Sequence, residues 1–284
     1  VDSELTEDLA YSTGNALCQL KENPKVIIGR DTRPSGEKIS KAIIQGLING
    51  GAEVFNVGIV PTSAISYLTK KLGLDYGIVI TASHNPKEYN GIKVFGNSGV
   101  KITDAEEIKI ESKLKSEISS PGGKVLNLSA EVKAYEEFLK NSIKTNLNGL
   151  KILLDCANGA SSKIAPKIFK MLGADVKAIN IKGEINNNCG ATHIENLIAN
   201  MEGFDLGFSF DGDSDRVICV DKNKNIFDGD KIIYLLSLYK KKNGEEIHDV
   251  VGTVMTNKKI QELLKENDIN LIRTPVGDKY IIEE

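Results

Sequence analysis

A chain of 284 residues has length for about two domains, and 40% apolar against 26% charged residues is the balance of a globular fold with an ample core. The net charge of −3 weighs against nucleic acid, whose binders carry a basic stripe. No apolar run approaches the ~20 residues that span a bilayer, and the acidic, polar opening Val1-Asp2-Ser3-Glu4 does not read as a signal peptide.

In chain order, "SELTEDLAYSTGNAL" predicts a helix capped by Ser3 or Thr6. Next comes the first of three similar stretches. "KVIIGRDTRPSGEKISKAIIQGLINGGAEVFNVG" reads as strand, polar loop, helix, Gly-Ala, strand. "LKILLDCANGASSKIAPKIFKMLGADVKAINI" repeats the pattern, and "DVVGTVMTNKKIQELLKENDINLIRT" is a shorter third copy. The alternation indicates parallel βαβ units, and the spacing indicates tandem similar α/β domains rather than one sheet. The expected boundaries are 1–146, 147–246 and 247–284, the third domain incomplete because one βαβ unit is too small to bury a core. Between the first two copies, "ITDAEEIKIESKLKSEIS" predicts a helix with Thr103 or Asp104 as N-cap, broken by Pro121-Gly122-Gly123. The run Lys240-Lys241-Lys242 is expected at a solvated helix end.

Chemistry concentrates in a few loops. Arg30 and Arg33 follow a strand and could face phosphates, or pair with Asp31 or Glu37. In "VITASHNPKEYNGIKVF" an apolar strand stops at Thr81-Ala82-Ser83-His84-Asn85-Pro86, and carboxyl ends of strands are where α/β sheets place their sites. Alone, Ser83 reads as a turn serine. "FSFDGDSDRVICVD" alters that: Asp211, Asp213 and Asp215 alternate with small residues in a tight turn and can converge on one point. Hard oxygen ligands suit Mg²⁺ or Ca²⁺. The EF-hand pattern fails, with Arg216 at its sixth place and Lys222 at its twelfth. An acidic surface turn is the bland alternative, disfavoured because three neighbouring carboxylates repel one another without a cation. A phosphate on Ser83 would supply a further oxygen ligand, with Lys93 and His84 as nearby cations or proton donors. Asn186, Asn187, Asn188, Cys189 and His193 form a polar loop read as structural, since a zinc site needs more ligands. Cys18, Cys156, Cys189 and Cys219 contain no CxxC pair, so neither zinc nor a disulfide framework is indicated and a reduced, cytoplasmic setting is expected.

Thr81 to Pro86 with Tyr89-Asn90-Gly91-Ile92-Lys93 resembles the active-serine loop of the α-D-phosphohexomutases, and Asp211 to Arg216 resembles that family's metal loop. The resemblance extends along the chain, including Gly29 to Arg33 and Thr274 to Tyr280. "GEINNNCGATHIENL" and "RTPVGDKYIIEE" are most similar to the branch that acts on glucosamine phosphates. What this implies is three-layer α/β domains with mixed, mainly parallel sheets, and a mutase of the isomerase class. Ser83 would carry a phosphate, pass it to glucosamine 6-phosphate, and take the other phosphate back from the resulting 1,6-bisphosphate, leaving glucosamine 1-phosphate. Mg²⁺ would be held by Asp211, Asp213, Asp215 and the Ser83 phosphate. Lys93 would transfer a proton or stabilise phosphate, Arg216 would bind phosphate or sugar oxygens, with Arg30 a further candidate for phosphate, and His84 would assist at the serine or serve structure. A sugar 1,6-bisphosphate would be the activator.

The family has four domains. The resemblance therefore implies that the end of the third domain, with its Glu-x-Ser-Gly-His sugar loop, and the fourth domain lie outside these residues, and that this chain alone turns over weakly. Competing expectations are a mutase of glucose or mannose phosphates, a Mg²⁺-dependent phosphatase with a covalent phosphoserine, and a non-catalytic sugar-phosphate sensor. The sensor is disfavoured because it needs no nucleophile. Neither a GxxxxGK[ST] nor a GxGxxG loop is present for a nucleotide.

Overall fold

The computed structural model describes residues 5–284. The chain divides between Lys224 and Asn225 into two compact units. In the first, α1 (Glu7–Leu20) is capped by Thr6, whose hydroxyl accepts from the Leu9 amide; the alternative cap, Ser3, lies outside the described residues. There follow β1 (Lys25–Arg30), α2 (Gly36–Asn49), β2 (Glu53–Ile59), α3 (Thr62–Lys71), β3 (Tyr76–Ile80), β4 (Ile92–Gly96), α4 (Asp104–Glu111), β5 (Lys124–Asn127) and α5 (Val132–Asn141). Strands β4, β3, β1, β2 and β5 form one sheet in that order, parallel except for the β3–β4 pair.

The second copy repeats this plan with β6 (Lys151–Asp155), α6 (Ser161–Met171), β7 (Asp175–Ile179), α7 (Glu195–Ala199), β8 (Leu206–Phe210) and β9 (Val217–Asp221). Its strands β9, β8, β6 and β7 lie in that order, with only β8–β9 antiparallel. Thus β8 and β9 occupy in this sheet the places of β3 and β4 in the first. The mixed, mainly parallel sheets of tandem α/β copies are those the sequence pattern and the resemblance imply.

Alternation along β1 explains the layering. Val26 and Ile28 face α1 and α2 with Ala10, Leu17, Ile39, Ile43 and Leu47, while Ile27 faces Ile65 and Leu68 of α3. That second core also takes in Tyr135 of α5, Ile164 and Ile168 of α6 and Leu172 just after it, so the first two copies share buried apolar surface.

Helix α4 is shorter than the pattern predicts. Its start holds: Thr103 and Glu106 make a reciprocal capping box. Its end comes at Glu111 because α1 captures the following backbone. Asn15 accepts from the Ile118 amide at 2.9 Å and donates to its carbonyl at 2.8 Å, and Gln19 donates to the Ser116 carbonyl at 2.8 Å. Strand β5, beside β2, has no counterpart in the predicted elements: its four residues are all exposed and too few to show a period.

The second unit contains the two-residue strand β10 (Ile226–Phe227), α8 (Gly229–Lys242), β11 (Asp249–Thr253), α9 (Lys258–Lys265), β12 (Asn270–Thr274) and α10 (Asp278–Glu283). β11 and β12 pair in parallel, as the third βαβ copy requires, over a small core of Ile260, Leu264 and Ile269. Lys240, Lys241 and Lys242 form the exposed last turn of α8, a favourable place for cations at a helix C-terminus. Among the described residues, no helix is long and apolar enough to cross a membrane.

Candidate active site

Two loops meet at equivalent places on the two copies. The first leaves β3 at Thr81 and returns through β4, and it carries Ser83. The second leaves β8 at Asp211 and returns through β9. Ser83 Oγ donates to Asp211 Oδ2 at 2.6 Å. Such closeness needs glycine at 212, since a Cβ there would come within 2.7 Å of the Ser83 carbonyl oxygen and of Ile185. Ser83 and Ser214 both sit at positive φ, 53° and 62°, which marks two sharply bent turns.

The three aspartates present one ligand atom each within 4.8 Å of one another. Asp211 and Asp213 are buried and Asp215 is open to solvent. Burial and the neighbouring Asp213 push the Asp211 carboxyl up to about 6. Burial would raise Asp213 as well, but Lys93 and Thr62 outweigh it and hold its carboxyl below the ordinary range. Asp213 Oδ2 accepts from Lys93 Nζ at 2.7 Å and from the Thr62 hydroxyl at 2.5 Å, while its Oδ1 is buried with no hydrogen-bond partner. Lys93 reaches Asp215 too, at 3.0 Å, and these carboxylates overcome its burial to keep the ammonium protonated above its ordinary value. An unpartnered buried carboxylate oxygen among converging hard-oxygen donors fits a small divalent cation.

The remaining expected residues are placed as follows. Arg216 is exposed and only loosely held, its Nε 3.8 Å from Asp215. Burial and nearby Arg216 lower the basicity of His84, whose Nδ1 is buried without a partner. Arg30 is half-buried and spends Nη1 on the Asp31 carbonyl at 3.1 Å. Arg33 faces inward, fully buried against Asp31 at 2.9 Å. The Asp-Thr-Arg stretch thus builds the floor under the serine loop rather than a phosphate contact by Arg33.

Sequence reasoning missed Thr62, which no motif marks, and the part played by Asn186. From the polar loop 183–193, Asn186 donates to the carbonyls of Ser83 at 2.8 Å and Asn85 at 3.0 Å. Thr32 binds across the same seam to the Asn158 carbonyl at 2.6 Å, and Lys87 pairs with Glu184. His193 is exposed. The one group of acidic, histidine or cysteine side chains able to hold a metal, among the described residues, is the aspartate trio.

Family models match most of the chain as three domains described as phosphoglucomutase/phosphomannomutase alpha/beta/alpha domains I, II and III, at residues 1–120, 133–225 and 228–284. The chain belongs to the phosphoglucomutase/phosphomannomutase family. Among curated members, the phosphoglucosamine mutase of Clostridium kluyveri is 44% identical, aligned with 100% of this chain and 67% of its own length. That of Acetivibrio thermocellus is 43% identical over 99% of this chain and 66% of its own. The chain therefore spans about two thirds of the length of these phosphohexomutases. A putative phosphomannomutase from Thermus thermophilus shares the fold with a TM-score of 0.88 at 24% identity, covering 99% of this chain and 68% of that one. Aspergillus fumigatus N-acetylphosphoglucosamine mutase, solved with GlcNAc-6P and magnesium, gives a TM-score of 0.52 at 19% identity, covering 78% of this chain and 60% of that one.

Proposed function

We propose that this chain carries the phosphoserine and metal loops of a phosphoglucosamine mutase, interconverting glucosamine 6-phosphate and glucosamine 1-phosphate. The observation that carries the proposal is the hydrogen bond from Ser83 Oγ to Asp211 at 2.6 Å, beside an aspartate trio with an unpartnered buried oxygen. The identity to full-chain phosphoglucosamine mutase relatives supplies the choice of sugar.

In this reading each transfer exchanges a phosphoryl group for a proton between Ser83 Oγ and a sugar hydroxyl. The phosphoserine gives its phosphoryl to the 1-hydroxyl of glucosamine 6-phosphate. The bisphosphate then returns its 6-phosphoryl to Ser83, so the serine phosphate is regenerated. Asp211, Asp213 and Asp215, with a Ser83 phosphate oxygen, would hold Mg²⁺, which when bound neutralises charge on the phosphoryl oxygens. Asp211 orients the Ser83 oxygen. Lys93 places a fixed positive charge beside the aspartates, where phosphoryl charge is spread in transfer. Arg216, exposed and weakly paired, is available to an incoming phosphate as a bidentate donor. A sugar 1,6-bisphosphate would prime the serine. The four free thiols suit a reducing, cytoplasmic setting.

Intact mass spectrometry tests the proposal. Incubation with glucose 1,6-bisphosphate and Mg²⁺ is expected to add one phosphoryl group to the wild type and none to Ser83→Ala. A folded wild-type chain that stays unmodified would refute it.

A further inference from the structure

Every N–H of the Arg33 guanidinium is used, and four of the five point at one loop. Nε donates to Asp31 at 2.9 Å. Nη1 donates to the carbonyls of Pro86 and, at 2.9 Å, Tyr89, and Nη2 to those of Ser83 at 2.9 Å and Asn85 at 2.7 Å. The Asn186 amide, from the second copy, donates to two of the same oxygens, Ser83 and Asn85. A carbonyl oxygen has two lone pairs, so both acceptors are filled, one donor coming from each copy. The amide side of Ser83 is tied down as well: its N–H donates to the Thr81 hydroxyl at 2.9 Å, which donates to Asp31 at 2.7 Å.

We infer that Arg33 and Asn186 are paired positioning residues that hold the Ser83 peptide in register with Asp211; the inference rests on Ser83 being the phosphoryl acceptor. The left-handed backbone at Ser83 is a conformation that persists only where its surroundings over-determine it, and these hydrogen bonds do so from both sides. Lysine cannot replace Arg33, because three donors on a point charge cannot reach four carbonyls in a fixed fork. Asn186 adds what Arg33 cannot, since of the two it is Asn186 that reaches the serine loop from the copy that bears the aspartates.

Asn186→Ala tests this, because Arg33 still covers both carbonyls, and Asn186→Gly, which suits the left-handed backbone at that position (φ 57°), is made beside it and should behave alike. The rate of Ser83 labelling at saturating glucose 1,6-bisphosphate should fall ~10- to 100-fold, the scale of a misplaced reacting atom. The half-saturating concentration should move less than about threefold, since uniform binding is untouched. Asn186→Asp, alike in shape but without the donors, should be at least as slow, which separates the hydrogen bonds from packing. A crystal structure of Asn186→Ala gives a second readout that needs no chemistry: loss of the 2.6 Å contact between Ser83 Oγ and Asp211 is expected. Folded variants that label at the wild-type rate, or retention of that contact, overturn the inference. If the wild type itself accepts no phosphoryl group, it is the proposed function that fails, and the variant's geometry still decides the positioning.

Discussion

The first and second copies invite comparison strand by strand. Asp31 directly follows β1 and Asp155 closes β6, and each aspartate accepts the amide two residues on, from Arg33 at 2.9 Å and Ala157 at 3.0 Å. The copies part in what their third strands release. After β3 comes a long loop, 81–91, holding a serine; after β8 comes a tight one, 211–216, holding three carboxylates. One scaffold thus supplies a serine hydroxyl in one copy and, in the other, the carboxylates that it meets; in the proposed function these are the nucleophile and its electrostatic partner. The spare oxygen of the aspartate differs in the same sense. Asp31 Oδ2 takes Arg33 and Thr81 beneath the serine, whereas Asp155 Oδ2 takes the Gly190 amide and fixes the loop that brings Asn186 across.

Breaking the serine side should have the largest effect. Ser83→Ala is expected to abolish labelling by glucose 1,6-bisphosphate and, in the complete enzyme, to lower turnover by more than roughly 10³-fold, as loss of a nucleophile does elsewhere. Melting temperature should scarcely move, which circular dichroism checks. On the other side, Asp213→Asn should weaken Mg²⁺ binding by at least about 10²-fold in isothermal titration, since losing a residue that only supports a metal ligand already costs ~10–100-fold. It should also destabilise the fold, because Lys93 loses its buried partner. The seam itself can be wedged. Gly212→Ala places a methyl 2.7 Å from the Ser83 carbonyl oxygen, and overpacking of this kind costs ~1–3 kcal/mol. A thermal melt should fall by several degrees, with labelling slowed in step. The smallest effect sharpens the comparison by its locality. Thr103→Ala removes a cap worth about 1 kcal/mol, lowering the melting temperature by about 2–4 °C while labelling proceeds at the wild-type rate.

Much of this was legible in residue patterns. The repeated strand–helix–strand stretches located β1, β2, β6, β7, β11 and β12, because apolar periodicity over six residues is a strong signal. Ser83 and the aspartates stood out since small polar and acidic residues interrupt buried strands there. What stayed hidden depends on contacts between distant segments. Asn15 and Gln19 cut α4 short from about a hundred residues away. Thr62 meets Asp213 across 151 positions, and no local pattern encodes it. Arg33 was ambiguous because a loop arginine satisfied by carbonyls and one awaiting phosphate have the same local sequence.

The core beneath α3 also holds Ile164 and Ile168 of α6 and Leu172 at its end, so the first two copies cannot part without wetting these side chains. The serine and the aspartates therefore ride on a single stiff block. In the proposed function, any rearrangement that turns a two-ended sugar phosphate between transfers would have to come from somewhere other than this seam, which is held by a shared apolar core.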